Sequence, residues 1–177
     1  MTLLLFEELN ALTKKIKTTG ELKGIIISGQ GRHFSSGADL IELTESINNS
    51  LPTTAEDKFV HSPEFMRRNL ENFKFLNDLR IPVIAAIKGV CIGSAFELAL
   101  FCHFRLCASN AIVGLPESTF GLLAGLGGIQ KVLELTNKVK AMELVFRGKT
   151  LNAQEALNCS IIDRICAKDQ LLSSAKE

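Results

Sequence analysis

Tryptophan and tyrosine are both absent from the 177 residues. A chain without them lacks the side chains that most often stack on nucleic-acid bases, although 11 phenylalanines are present. No excess of one charge exists either: 20 Lys and Arg stand against 19 Asp and Glu, scattered along the chain. That balance excludes a broad basic surface for nucleic acid or membrane. No apolar run is long enough to span a bilayer. The first residues, MTLLLFEE, turn acidic at once and carry neither the basic start nor the cleavage pattern of a signal peptide. The 5 cysteines, Cys91, Cys102, Cys107, Cys159 and Cys166, are odd in number and form no CxxC pair. Set in apolar surroundings, they read as reduced core residues in a cytoplasmic compartment. A metal site needs tighter clustering than Cys102-His103 with Cys107 provides, so no metal and no separate cofactor is expected.

What is present is an apolar fraction of 46%, enough for a sizeable core in one domain over residues 1–177. Residues 2–18 predict an amphipathic helix with Leu4, Leu5, Leu9, Leu12 and Ile16 on one face. Residues 24–29 predict a buried strand bounded by glycines, and a Gly-rich loop leads from it to Asp39, which caps a short helix to about residue 46. A polar loop over 48–57 precedes a long helix over 56–79, interrupted near Pro63. Strands are predicted at 82–87, 104–108, 111–114 and 160–165. Helices are predicted at 94–101, 128–135, 139–147 and 153–158 and at the end of the chain, and Gly89 and Gly93 are read as a turn. Strands alternating with helices imply an α/β fold on a parallel sheet.

The chemistry points to two glutamates. Glu97 lies in GVCIGSAFELAL and Glu117 in AIVGLPESTFG. Leu98, Ala99, Leu100 and Phe101 leave the helix of Glu97 little polar face on which to expose it. Glu117 follows Pro116 directly after an apolar strand, where a side chain is re-aimed at a cleft. Buried carboxylates are costly unless paired or used, and two sharing one cavity have their pKa values pushed apart. Such a pair supplies a proton acceptor and a proton donor. Two strand–loop–helix units, 25–42 and 83–100, also set Ala38 and Ser94 at helix N-termini. Donors and dipole ends converging there would form an oxyanion hole.

The stretches GIIISGQGRHFSSGADL (24–40), IPVIAAIKGVCIGSAFELAL (81–100), VGLPESTFGLLAGLGGIQ (113–130) and AMELVFRGKTLNAQEALNCSIIDRI (141–165) resemble, in order and spacing, the crotonase or enoyl-CoA hydratase/isomerase superfamily. The resemblance implies a crotonase-like (ClpP/crotonase) spiral of ββα units around a parallel sheet. It implies Glu97 and Glu117 as the catalytic glutamates, Glu97 orienting water as base and Glu117 donating a proton to Cα, and Ala38 and Ser94 as oxyanion-hole donors. Ser36, Gly37, Asp39, Gly93 and Gly125 would then contact substrate. The substrate implied is an acyl-CoA or acyl-carrier-protein thioester, with coenzyme A carried on it rather than held as a cofactor. The reaction implied is hydration of an enoyl thioester, as in fatty acid metabolism. Isomerisation of the double bond, dehydration or decarboxylation of a carrier-protein thioester, and a non-catalytic oligomeric subunit are the alternatives.

Four positions depart from the family pattern. Ser94 replaces a glycine, His103 an aspartate, Ile41 a CoA-contacting lysine of some hydratases, and Ala124 a frequent proline. His103 is expected to be structural. The usual N-terminal hairpin and C-terminal helical region have no counterpart in the sequence, so a domain shortened at both ends is expected. Apolar surface left uncovered favours a homotrimer or hexamer.

Overall fold

The computed structural model describes residues 2–19, 21–42, 44–45 and 64–177. The expected loop over 48–57, the break at Pro63 and the first turns of the helix begun at 56 lie outside them. Helix α1 (Leu3–Thr18) opens at Thr2, whose hydroxyl accepts from Leu5 N–H. Its inner face is Phe6, Leu9, Thr13 and Ile16, whereas Leu4, Leu5 and Leu12 are exposed. The leucine spacing therefore misplaced the buried stripe. Phe6 turns inward onto Phe73 of α2 (Glu64–Asn77), and Thr13 donates to Asn72 Oδ1 across the same seam at 3.2 Å.

Strands β1 (Ile25–Ser28), β2 (Val83–Ile87), β4 (Phe104–Ala108) and β7 (Arg164–Cys166) form a fully parallel sheet in the order β1-β2-β4-β7. Val83, Ala85, Ala86 and Ile87 are wholly buried, as a central parallel strand covered on both faces must be. A second sheet holds β3 (Val90–Ile92), β5 (Ile112–Gly114) and β6 (Thr150–Asn152). Its β3–β5 pair is parallel and its β5–β6 pair antiparallel. Strands β3 and β6 were not read from the sequence, and the last strand starts at Arg164 rather than 160.

Helix α3 (Ser94–Leu100) is buried along its whole length. Then come a 3₁₀ turn (Pro116–Phe120), α4 (Gly128–Leu135), α5 (Lys138–Phe146), α6 (Ala153–Asn158) and α7 (Leu171–Ser174). Asn152 and Glu155 start α6 with a reciprocal capping box. The core runs from Phe73 and Leu76 through β2 and α3 to Leu144 and Leu151. His103 is structural, as expected: Nδ1 accepts from Val83 N–H at 3.0 Å and Nε2 donates to the Asn77 carbonyl at 2.9 Å.

Candidate active site

The two strand–loop–helix units meet where the glycines of their loops face each other. Ser35 bridges to Cys91, holding the first loop along β3: Ser35 N–H donates to Val90 O and Ile92 N–H to Ser35 O. Gly37 (φ 93°) and Gly93 (φ 60°) both adopt backbone conformations that L side chains rarely take. A Cβ on Gly37 would stand 2.8 Å from the Ile92 carbonyl and 3.5 Å from Gly93 Cα, so only glycine permits this approach. Just beyond the contact lie Ala38 and Ser94. Asp39 Oδ1 accepts from Ile41 and Glu42 N–H and starts the helical residues 40–42, leaving Ala38 ahead of that cap. On the other side, Gly93 O accepts from Phe96 and Glu97 N–H, and Ser94 is the first helical residue.

A cavity of about 350 Å³ opens at this junction. Ser36, Gly37, Ala38, Gly93, Ser94, Glu97, Glu117 and Gly125 all line it. Of the expected site residues only Asp39 does not, its carboxylate being occupied as the helix cap. The remaining wall is apolar, including Phe6, Leu40, Met66, Ile92, Phe120, Leu123 and Leu126. Phe6 and Met66 had no sequence signal beyond helical periodicity. Only the packing of α1 and α2 brings them to the cavity.

Glu97 is 2% exposed. Its Oε1 accepts from Leu126 N–H at 2.8 Å and Gly128 N–H at 2.9 Å. These donors belong to the turn entering α4, so the carboxylate ties α3 to α4 and completes the start of the second helix. A Cβ at position 128 would stand 2.6 Å from Glu97 Cγ, which explains the glycine there. Burial pushes the Glu97 carboxyl up to about 7; the Gly128 and Leu126 donors oppose the rise and the neighbouring Glu117 charge adds to it.

Glu117 enters from the opposite side, on the 3₁₀ turn begun by Pro116 and closed by Gly121 in the left-handed region. Leu122 N–H returns to the Glu117 carbonyl at 3.1 Å and fixes the turn. The carboxylate reaches Gly93: a Cβ there would lie 3.3 Å from Glu117 Oε1. Oε2 is buried and meets no hydrogen-bond donor among the described residues. Burial raises the pKa of this carboxyl as well, opposed by its own backbone N–H. Two acids, one anchored and one with an unpartnered oxygen, therefore share a largely apolar cavity with two glycine loops. Such a site can pass protons to and from a bound molecule in a water-poor setting. Among the described residues no His, Cys, Asp and Glu cluster could hold a metal ion.

The sequence model described as enoyl-CoA hydratase/isomerase matches residues 1–177. The chain belongs to the enoyl-CoA hydratase/isomerase family, and its fold is that of the crotonases. It is 34% identical over 166 residues to a probable enoyl-CoA hydratase of Bacillus subtilis, covering 94% of this chain and 60% of that protein. It is 36% identical over 173 residues to the fatty acid oxidation complex subunit alpha of Shewanella amazonensis, covering 96% of this chain and 23% of the relative. The crystal structure of enoyl-CoA hydratase from Bacillus anthracis superposes with a TM-score of 0.84 at 30% identity, over 99% of this chain and 64% of that one. The chain thus spans less than two thirds of each of these relatives.

Proposed function

We propose that the protein is a hydratase that adds water across the 2,3 double bond of an enoyl-CoA thioester. The observation that carries this reading is the pair Glu97 and Glu117 lining one cavity with Ala38 and Ser94. The thioester carbonyl lies between the Ala38 and Ser94 N–H groups. A water molecule sits between the carboxyls. Glu97 takes a proton from the water as its oxygen attacks Cβ, and the double-bond electrons move onto the thioester oxygen as an enolate. The enolate collapses as Glu117 delivers its proton to Cα. The pair holds one proton before and after the step, and the proton gained by Glu97 passes back to Glu117 before the next turnover, so the net change is the addition of one water.

Two features support this division of labour. Burial holds the Glu97 carboxyl at about 7 even against its main-chain donors, so it is basic enough to take a proton near neutral pH, and Glu117 Oε2 meets no donor among the described residues that would hold it away from Cα. The two acids titrate as a pair, which gives a bell-shaped pH dependence. Removing one oxyanion-hole donor typically costs about 3–4 kcal/mol of transition-state stabilisation.

One observation favours a second reading. Glu97 has a structural task at the start of α4, and isomerisation of the double bond needs a single base, which Glu117 alone could provide. Turnover in ¹⁸O-labelled water separates the two. A hydratase yields 3-hydroxyacyl-CoA carrying the label. An isomerase shifts the double bond of a 3-enoyl-CoA without incorporating oxygen, and that outcome would replace the hydratase reading.

A homo-oligomer is part of the proposal. Val139, Met142 and Phe146 repeat along one face of α5 at 71%, 47% and 65% exposure, an apolar stripe suited to burial against another subunit. Sedimentation of the purified chain tests it, and a monomer at micromolar concentration would refute it.

A further inference from the structure

The loop that carries Ala38 runs past the corner at which the chain leaves β2 and enters β3. Ser35 makes both main-chain bonds of a parallel ladder there. Its N–H donates to Val90 O at 3.0 Å, and its carbonyl accepts from Ile92 N–H at 3.3 Å. One step earlier, a regular parallel ladder would bring the His33 carbonyl to Val90 N–H. The main chain does not make that bond. Phe34 N–H, rather than that of His33, donates to Lys88 O at 2.8 Å. From Phe34 to Ser35 the loop therefore advances one residue while the facing chain advances two, from Lys88 to Val90. Gly89 is the extra residue, with φ at 56°. Such bulges beside a site re-aim the chain that follows. The imidazole of His33 takes the open ladder position: Val90 N–H donates to Nδ1 at 3.1 Å. Glycines make room for this on two sides. A Cβ on Gly89 would collide with the imidazole and stand 2.8 Å from Arg32 O, and a Cβ on Gly29 would overlap the His33 carbonyl.

We infer that His33 is a positioning residue of the oxyanion hole: its imidazole stands in for a main-chain acceptor at this corner and fixes the register in which the loop carries Ala38 past Ser94. The inference rests on the hydratase reading, in which the Ala38 and Ser94 N–H groups hold the thioester oxygen. The links from His33 to the hole are short. Ser35 Oγ accepts from Gly37 N–H at 3.2 Å, and Gly37 packs on the Ile92 carbonyl just before Gly93. Without the imidazole, a slip toward the regular ladder would give Val90 N–H the His33 carbonyl and draw residues 36–38 along β3. Site groups must be held within about 0.5 Å of the productive geometry, so that slip takes the Ala38 N–H away from the oxygen. His33 itself is exposed and does not line the catalytic cavity. Its bond therefore adds little to global stability, and its effect is on where Ala38 points.

The test compares His33→Phe, which keeps a ring without an acceptor, with His33→Asn, whose Oδ1 stands as far along the side chain as Nδ1 does. The measurements are kcat and KM for hydration of crotonyl-CoA, the melting temperature, and the infrared carbonyl stretch of bound butyryl-CoA, an unreactive saturated thioester labelled with ¹³C at its carbonyl. His33→Phe is expected to lower kcat at least about tenfold, part of the roughly 10²–10³-fold that a whole oxyanion-hole donor supplies. KM is expected to change by less than about threefold, because the lost interaction belongs to the transition state. The bound carbonyl stretch moves back toward its value in water, and the melting temperature stays within roughly 3 °C of wild type. His33→Asn is expected to restore most of both kcat and the stretch. His33→Ala is expected to match His33→Phe, and serves should that variant fold poorly. Wild-type kcat in the folded Phe and Ala variants, a loss that His33→Asn does not reverse, or a loss with the carbonyl stretch unmoved overturns the inference and leaves the hydratase reading standing. A wild-type chain that neither hydrates crotonyl-CoA nor shifts the carbonyl stretch of the bound thioester removes both.

Discussion

Glu97 carries two burdens on one carboxyl group, and they pull its protonation in opposite directions. Burial raises its pKa from 4.5 to about 7, so between those values the folded chain binds a proton that the unfolded chain has released. Stability therefore falls as pH rises from about 4.5 to about 7, and the penalty stays above that window. By linkage the whole shift amounts to about 3 kcal/mol. Glu97→Gln keeps an oxygen for the Leu126 and Gly128 donors and removes the charge. Thermal denaturation should then show a higher melting temperature than wild type at pH 8, and little difference at pH 4. Gly128→Ala makes the complementary prediction. Its Cβ would collide with Glu97 Cγ, so both melting temperature and turnover should fall, the latter by at least about tenfold. Ordinary surface substitutions on α4, such as Gln130→Ala, should do neither.

Among the elements, the reading from sequence succeeded where a segment is long or strongly punctuated and failed where pairing is decided at a distance. Helix α3 was legible because its residues are apolar all round, and that same fact marked Glu97 as buried. Strand β3 was lost because three residues between Gly89 and Gly93 look like a turn; their pairing with β5 comes from the far side of α3. Strand β6 was hidden for the same reason, its partner being 36 or more positions earlier. Arg105 was passed over, although a charge inside the apolar strand FRLCA was a usable signal. The residue is 3% exposed, and its guanidinium donates to the Ile161 and Cys102 carbonyls at 2.8 and 2.6 Å and meets Asp163 Oδ2 at 3.2 Å. Asp163 also accepts from Arg105 N–H at 2.7 Å and so pins the loop before β7 to β4. The Asp163 side chain is 39% exposed, so only the Arg105 end of the pair is buried and solvent screens the interaction in part. Asp163→Ala should destabilise the fold by about 1–2 kcal/mol in chemical denaturation, whereas Lys168→Ala on the exposed end should be nearly neutral.

At the scale of the molecule, two sheets are joined so that the loop after β1 and the loop after β3 present their glycines to each other. Both acids then arrive on separate elements, α3 and the 3₁₀ turn after β5. The motif order in the sequence was sufficient to place Ala38, Ser94, Glu97 and Glu117 together. It could not supply the apolar lining from Phe6 and Met66, because that depends on how α1 and α2 cross the cavity. Exposed Phe120 and Leu123 stand at its wall, at 65% and 62% exposure, and Phe146 lies on α5, which packs against the 3₁₀ turn. These exposed apolar side chains near the site are a further reason to expect self-association.

Hydration of crotonyl-CoA by wild type, Glu97→Gln, Glu117→Gln and the double variant tests the central claim most directly. Each single change should lower kcat by roughly 10²–10⁴-fold, the usual contribution of a positioned acid or base. The double variant should lose little more than the worse single one, because the two carboxyls act as a unit. A wild-type rate no greater than that of the double variant would contradict the assignment.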